Sequence, residues 1–276
     1  VDLSRGLLFH TTENIFIDFI YFLMKRSTAS PNVHTLHPHF YVPQLDRHRA
    51  IYIYLPPDYG HSNKRYPVLY MQDGQNLFDQ SLAFSREWKV DKTLNQLHKR
   101  KNYGAIVIGI ANGGIHRSNE YAAWHRNRMG GGEGEKYLQF IVQTLKPFVD
   151  SNFRTLSDVA NTAIVGSSMG GLFALYGILQ RGDIFGKAGV LSPSFWFNPQ
   201  IYAFAKQNIR PQSKIYISGS KTESRYMHQN LQDIYWSLHH GGLSDTNLRV
   251  VLQERGRHNE VLWASEFKKM YSWLFA

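Results

Sequence analysis

Ala163-Ile164-Val165-Gly166-Ser167-Ser168-Met169-Gly170-Gly171-Leu172-Phe173-Ala174-Leu175-Tyr176 decides the fold of this chain. A short apolar run enters G-x-S-x-G, and an apolar segment of helical period leaves it at once. A serine on so sharp a strand-to-helix turn stands in strained backbone, and its neighbours must lack side chains where the chain folds back on itself. Gly166 and Gly170 meet that need. The helix that follows would direct its partial positive charge, and the backbone N–H of Met169, at an oxyanion beside Ser168.

Outward from this elbow the chain alternates strand-like and helix-like segments, which is the pattern of a mostly parallel α/β sheet with helices on both faces. Strands are expected at 49–55, 67–72, 105–110, 161–165, 186–191, 214–218 and 248–253, and helices at 88–101, 135–152, 169–180, 225–240 and 260–274. Two long loops, 73–86 and 111–134, follow the carboxyl ends of strands. Open α/β sheets place ligands at that edge, so these loops are expected to wall a site.

A serine hydroxyl becomes a nucleophile only when a base takes its proton. With no cysteine in the chain, thiolate chemistry, disulfides and thiolate metal sites are excluded. Of 13 histidines, His258 follows the last strand and precedes the final helix, where a serine hydrolase of this chain order keeps its base. His228, His239 and His240 read as helix-surface residues. The orienting acid belongs after the preceding strand, where Glu223 is the first carboxylate; Asp233 and Asp245 are its rivals. No metal or cofactor is called for.

The 276 residues carry 31 Lys plus Arg against 21 Asp plus Glu, a net charge of +10. The basic residues are scattered and no nucleic-acid motif accompanies them, so nucleic acid is not an expected partner. The run Ile15 to Met24 contains Asp18 and falls well short of the ~20 residues that cross a bilayer. No membrane span is expected. Without a recognisable signal peptide, a soluble cytoplasmic protein is the expectation. Residues 1–33 read as an amino-terminal extension, either upstream sequence dispensable for activity or a short helix, and 34–276 as one domain.

From about Phe40 to Phe275 the chain resembles the esterase family of the α/β-hydrolase superfamily, which includes esterase D and the feruloyl, acetylxylan and siderophore esterases. The resemblance rests on Tyr54 to Tyr59 (YLPPDY), Tyr70 to Phe78 (YMQDGQNLF), Gly109-Ile110 with Arg117 to Tyr121, and the segments 166–171, 219–223 and 256–260. It implies an α/β-hydrolase fold, Ser168 as nucleophile, His258 as base and Glu223 as acid. It implies backbone N–H donors from Met169 and Gln75 for the oxyanion. The expected activity is hydrolysis of a small-molecule or sugar ester through an acyl-enzyme; acyl transfer on the same fold and a non-catalytic binding protein are the alternatives. Tyr121, Trp124, Trp196 and Arg117, in or beside the site loops, are the candidate substrate-binding residues.

Overall fold

A computed structural model of the chain describes residues 26–101 and 104–275. The apolar run at 15–24, and with it most of the expected extension, lies outside the described residues. Residues 27–30 do pack on the domain: Ser27 Oγ and the Thr28 N–H donate to Asp79, and the Ser30 N–H donates to Asp91.

Eight strands form one sheet in the order β1-β2-β4-β3-β5-β6-β7-β8. They are β1 (Val33–Val42), β2 (Arg47–Tyr54), β3 (Val68–Gln72), β4 (Ile106–Ile110), β5 (Thr162–Ser167), β6 (Lys187–Leu191), β7 (Lys214–Ser220) and β8 (Leu248–Gln253). β2 runs antiparallel to β1 and β4, and all pairings from β4 to β8 are parallel. Every residue of β3, β4 and β5 is buried, which is why these strands read as unbroken apolar runs: helices cover both faces of a parallel sheet.

The helices that matter for the site are α1 (Val90–Lys101), α2 (Arg117–Glu120), α3 (Gly134–Phe140), α4 (Lys146–Asn152), α5 (Met169–Gln180), α6 (Gln200–Asn208), α7 (Met227–His240) and α8 (Glu260–Leu274). One face of the sheet buries Phe140, Phe173, Ile178, Ala205 and Ile234 from α3, α5, α6 and α7. The other buries Leu94 and Leu97 of α1 with Phe267, Met270 and Tyr271 of α8.

Besides small shifts of element bounds and the four-residue helix α2 inside the expected loop 111–134, the structure differs from the sequence expectation in three places. β1 was not expected, because its sequence VHTLHPHFYV holds three histidines and a proline. It is tolerated as an edge strand, irregular in register between Thr35 and Phe40. Helix α6 is only nine residues long, too short for its buried pair Ile201 and Ala205 to declare a period. The helix expected over 135–152 is continuous but passes through a π turn at Ile141–Leu145. Pro147, just beyond, has no N–H to return to the preceding turn, so the ordinary ladder cannot run through.

Candidate active site

β5 delivers Ser168 at the carboxyl edge of the sheet with φ 57° and ψ −123°, a left-handed conformation that a side-chain-bearing residue holds only under strain. Its surroundings enforce the turn. A Cβ on Gly166 would lie 2.2 Å from the Gly170 carbonyl oxygen, and one on Gly171 would lie 3.0 Å from that of Leu191. Gly166→Ala is therefore expected to open the elbow and cost about 3 kcal/mol or more, read as a lowered urea midpoint; an unchanged midpoint would show that the turn can relax.

Ser168 Oγ lies 2.9 Å from His258 Nε2, and His258 Nδ1 lies 2.8 Å from Glu223 Oε2. The Glu223 carboxylate is buried, and its other oxygen accepts the Ser220 N–H at 2.6 Å, so it folds back on the end of β7. Thr222 Oγ1 donates to the Gly256 carbonyl and accepts the Gly256 N–H, at 2.7 and 2.9 Å. The loop carrying the acid is thus tied to the loop carrying the histidine. Asn259 then caps α8 by accepting from Val261 and Leu262 N–H groups. The two rival acids are elsewhere: Asp233 is bonded to Gln229 and Asp245 to Tyr235.

Met169 is the first residue of α5, so its N–H has no acceptor one turn earlier in the helix. Gln75 sits in a single 3-10 turn, Gly74–Asn76, that follows Asp73 in left-handed conformation at φ 54°. Gly74 packs directly on β4, where a Cβ would lie 2.4 Å from the Gly109 carbonyl carbon. That close approach fixes the turn, and with it Gln75, beside the elbow.

A cavity of about 710 Å³ opens over Ser168 and His258, a size suited to a small-molecule ligand. The two long loops wall it, through Gln75, Asn76, Leu82 and Phe84 on one side and Ala111, Asn112 and Arg117 on the other, and Glu260 and Trp263 close it from α8. Of the four candidate substrate-binding residues only Arg117 lines this cavity. Burial opposes its charge, but two hydrogen bonds to Asp73, at 2.7 and 2.8 Å, hold its pKa well above the ordinary arginine value. Tyr121 is fully buried: its hydroxyl accepts the Asp73 N–H at 3.1 Å and its ring stacks on Phe173. Trp124 packs edge-on against Tyr176 and Phe204. Trp196 is exposed under Arg126 and is no part of the cavity lining. Their positions in loops suggest the mouth, but Tyr121 and Trp124 pack against the core, Tyr121 behind the cavity-lining Asp73, and Trp196 lies on the outer surface.

Three residues near Ser168 lie outside the sequence expectation. Ser194 Oγ lies 3.2 Å from Ser168 Oγ. The Trp263 ring meets His258 edge to face at 5.2 Å, and its Nε1–H donates to Ser192. Glu260 and Trp263 are one helical turn apart in the first turns of α8, directly after the histidine loop, and that spacing was the available signal. Among the described residues no cluster of His, Asp and Glu could hold a metal ion.

Sheet order, elbow and the helices on both faces define an α/β-hydrolase. Residues 43–273 match the family model described as "Putative esterase", and the chain belongs to that family: it is a carboxylic ester hydrolase. It is 24% identical over 241 residues to "Uncharacterized protein YbbA" of Bacillus subtilis, covering 82% of this chain and 92% of that one. It is 36% identical over 142 residues to the siderophore triacetylfusarinine C esterase of Aspergillus fumigatus, which spans 48% of this chain and 45% of that relative. The solved siderophore hydrolase EstA of Aspergillus nidulans shares the fold, with TM-score 0.72 and 20% identity over 89% of this chain and 95% of that one. No helix among the described residues is long and apolar enough to cross a membrane.

Proposed function

We propose that the protein hydrolyses small-molecule esters by a Ser168-His258-Glu223 triad and an acyl-enzyme intermediate. The observation that carries this reading is the unbroken hydrogen-bonded line from the strained Ser168 hydroxyl through both imidazole nitrogens to the Glu223 carboxylate, at 2.9 and 2.8 Å. Ser168 Oγ attacks the ester carbonyl carbon while His258 Nε2 takes its proton. Glu223 holds the Nδ1–H and stabilises the imidazolium that results. The carbonyl oxygen, now an oxyanion, accepts the N–H groups of Met169 and Gln75. Collapse expels the alcohol with the proton from His258, and water attacks the acyl-serine by the same proton traffic in reverse.

The siderophore esterases among its relatives act on esters of small molecules, and the cavity volume suits a substrate of that order. A fluorophosphonate probe followed by peptide mass mapping tests the reading. The expected result is one adduct on Ser168, abolished by Ser168→Ala, together with a burst of p-nitrophenolate from p-nitrophenyl acetate. A protein that hydrolyses the ester without labelling at Ser168 would overturn it.

A further inference from the structure

Resting on the esterase reading above, we infer that the cavity selects esters bearing a cationic, ammonium-type group, and that Glu260 is the residue that receives it. Three charged groups line the cavity besides the histidine: Asp73, Arg117 and Glu260. Asp73 and Arg117 neutralise one another in a two-pronged ion pair, with Asn112 donating a third hydrogen bond to the same carboxylate at 2.7 Å. Neither is left over for a substrate charge. Glu260 is different. Its residue is only 7% exposed, it lines the cavity, and it makes no side-chain hydrogen bond or ion pair among the described residues.

The Glu260 oxygens are not sealed from solvent, but a carboxylate with no protein partner on a residue only 7% exposed still bears part of the cost of desolvation. Its place as the first residue of α8 offsets part of that cost, because the helix dipole favours negative charge there. A cation arriving in the cavity would supply the rest. The neighbouring walls suit the apolar shell of an ammonium group: Trp263 follows one turn later on the same helix, and Phe84, largely exposed, and Leu82, half exposed, line the cavity from the opposite loop. Aromatic surface beside a carboxylate is the chemistry that binds organic cations.

The net charge of +10 does not cancel this local field. The basic residues of the histidine loop, Arg255 and Arg257, are exposed to solvent and do not line the cavity, and charges of that kind are screened over ~8 Å at physiological salt. The carboxylate inside the cavity is screened far less.

Matched esters test the inference. Acetylcholine and 3,3-dimethylbutyl acetate have the same shape and differ in charge; betaine ethyl ester and ethyl 3,3-dimethylbutanoate move the charge to the acyl side. In at least one pair the cationic ester should be favoured in kcat/KM by about tenfold relative to the same ratio in Glu260→Gln, the range expected for a partly desolvated charge contact. Tetramethylammonium chloride should inhibit hydrolysis of p-nitrophenyl acetate by the wild type competitively, whereas neopentyl alcohol at equal concentration should not. This second measurement stands even if Glu260→Gln folds poorly. Equal charge ratios in wild type and variant for both pairs, or no inhibition by tetramethylammonium, would overturn the inference while leaving the esterase reading intact. Absence of p-nitrophenyl acetate hydrolysis by the wild type would instead sink the reading on which it rests.

Discussion

Ser168→Ala is expected to lower kcat for p-nitrophenyl acetate by on the order of 10⁴- to 10⁶-fold, with the thermal midpoint nearly unchanged. The two effects separate because the strain at residue 168 belongs to the backbone, which alanine keeps, whereas the proposed chemistry belongs to the hydroxyl, which alanine lacks. The hydroxyl's neighbours are His258 Nε2 at 2.9 Å and Ser194 Oγ at 3.2 Å, and losing such contacts costs stability of only about 1 kcal/mol. His258→Ala should collapse kcat to a similar level, and the double variant should be no slower than either single one, since parts of one catalytic unit are strongly non-additive. Glu223→Gln should be milder or comparable, up to about 10⁴-fold, because an amide can hold the imidazole in the wrong tautomer. A Ser168→Ala enzyme retaining more than about one per cent of wild-type kcat, or additive losses on combining the variants, would place the chemistry on other residues.

What could be read from the sequence was whatever local sterics or chain order controls. Gly166 and Gly170 announce the elbow because a Cβ at Gly166 would strike backbone 2.2 Å away, a constraint contained within five residues. His258 and Glu223 were found by their place after the last two strands, and the structure brings both to Ser168. The cavity wall was less legible. Whether an aromatic residue in a loop faces a ligand or the core depends on its distant partner: Tyr121 is turned inward by the backbone N–H of Asp73, 48 positions away in sequence. Conversely Glu260 and Trp263 look like ordinary helix residues, and only the docking of α8 beside His258 brings them to the cavity. β1 was hidden for a related reason, since an edge strand exposed over most of its length has no apolar alternation to betray it.

Glu120→Ala is expected to be the most damaging substitution outside the elbow and the proposed triad, because Glu120 is the anchor that fixes the second cavity wall. Its side chain is fully buried and bonded to Arg49, itself buried, through two contacts of 2.9 Å, and to Arg47 through a third. Arg47 also binds Glu133, so β2 holds both ends of the stretch from α2 to α3. The carboxylate lies against Gly113, where a Cβ would come within 2.5 Å of it, and the wall residues Asn112 and Arg117 flank that contact. Burial works against the Arg49 charge, but Glu120 keeps its pKa above the ordinary value. Removing Glu120 leaves that guanidinium buried without its partner, at a cost of about 3 to 5 kcal/mol, or a fall in Tm on the order of 10 °C for a domain of this size. The pair is not needed for its attraction alone: replacing both charges, as Arg49→Met with Glu120→Leu, should recover most of the lost stability. If the double variant is as unstable as Glu120→Ala, the loss comes from packing rather than the orphaned charge. The outer part of this network also sets a direction with pH. The Arg47 hydrogen bond depresses the Glu133 pKa below its ordinary value, so its stabilisation is complete above the ordinary glutamate pKa of ~4.3 and is lost as pH falls through the depressed value. An Arg47→Met variant should therefore show a weaker dependence of Tm on pH across that acid range than the wild type, and equal slopes would show that Glu133 is not held by Arg47.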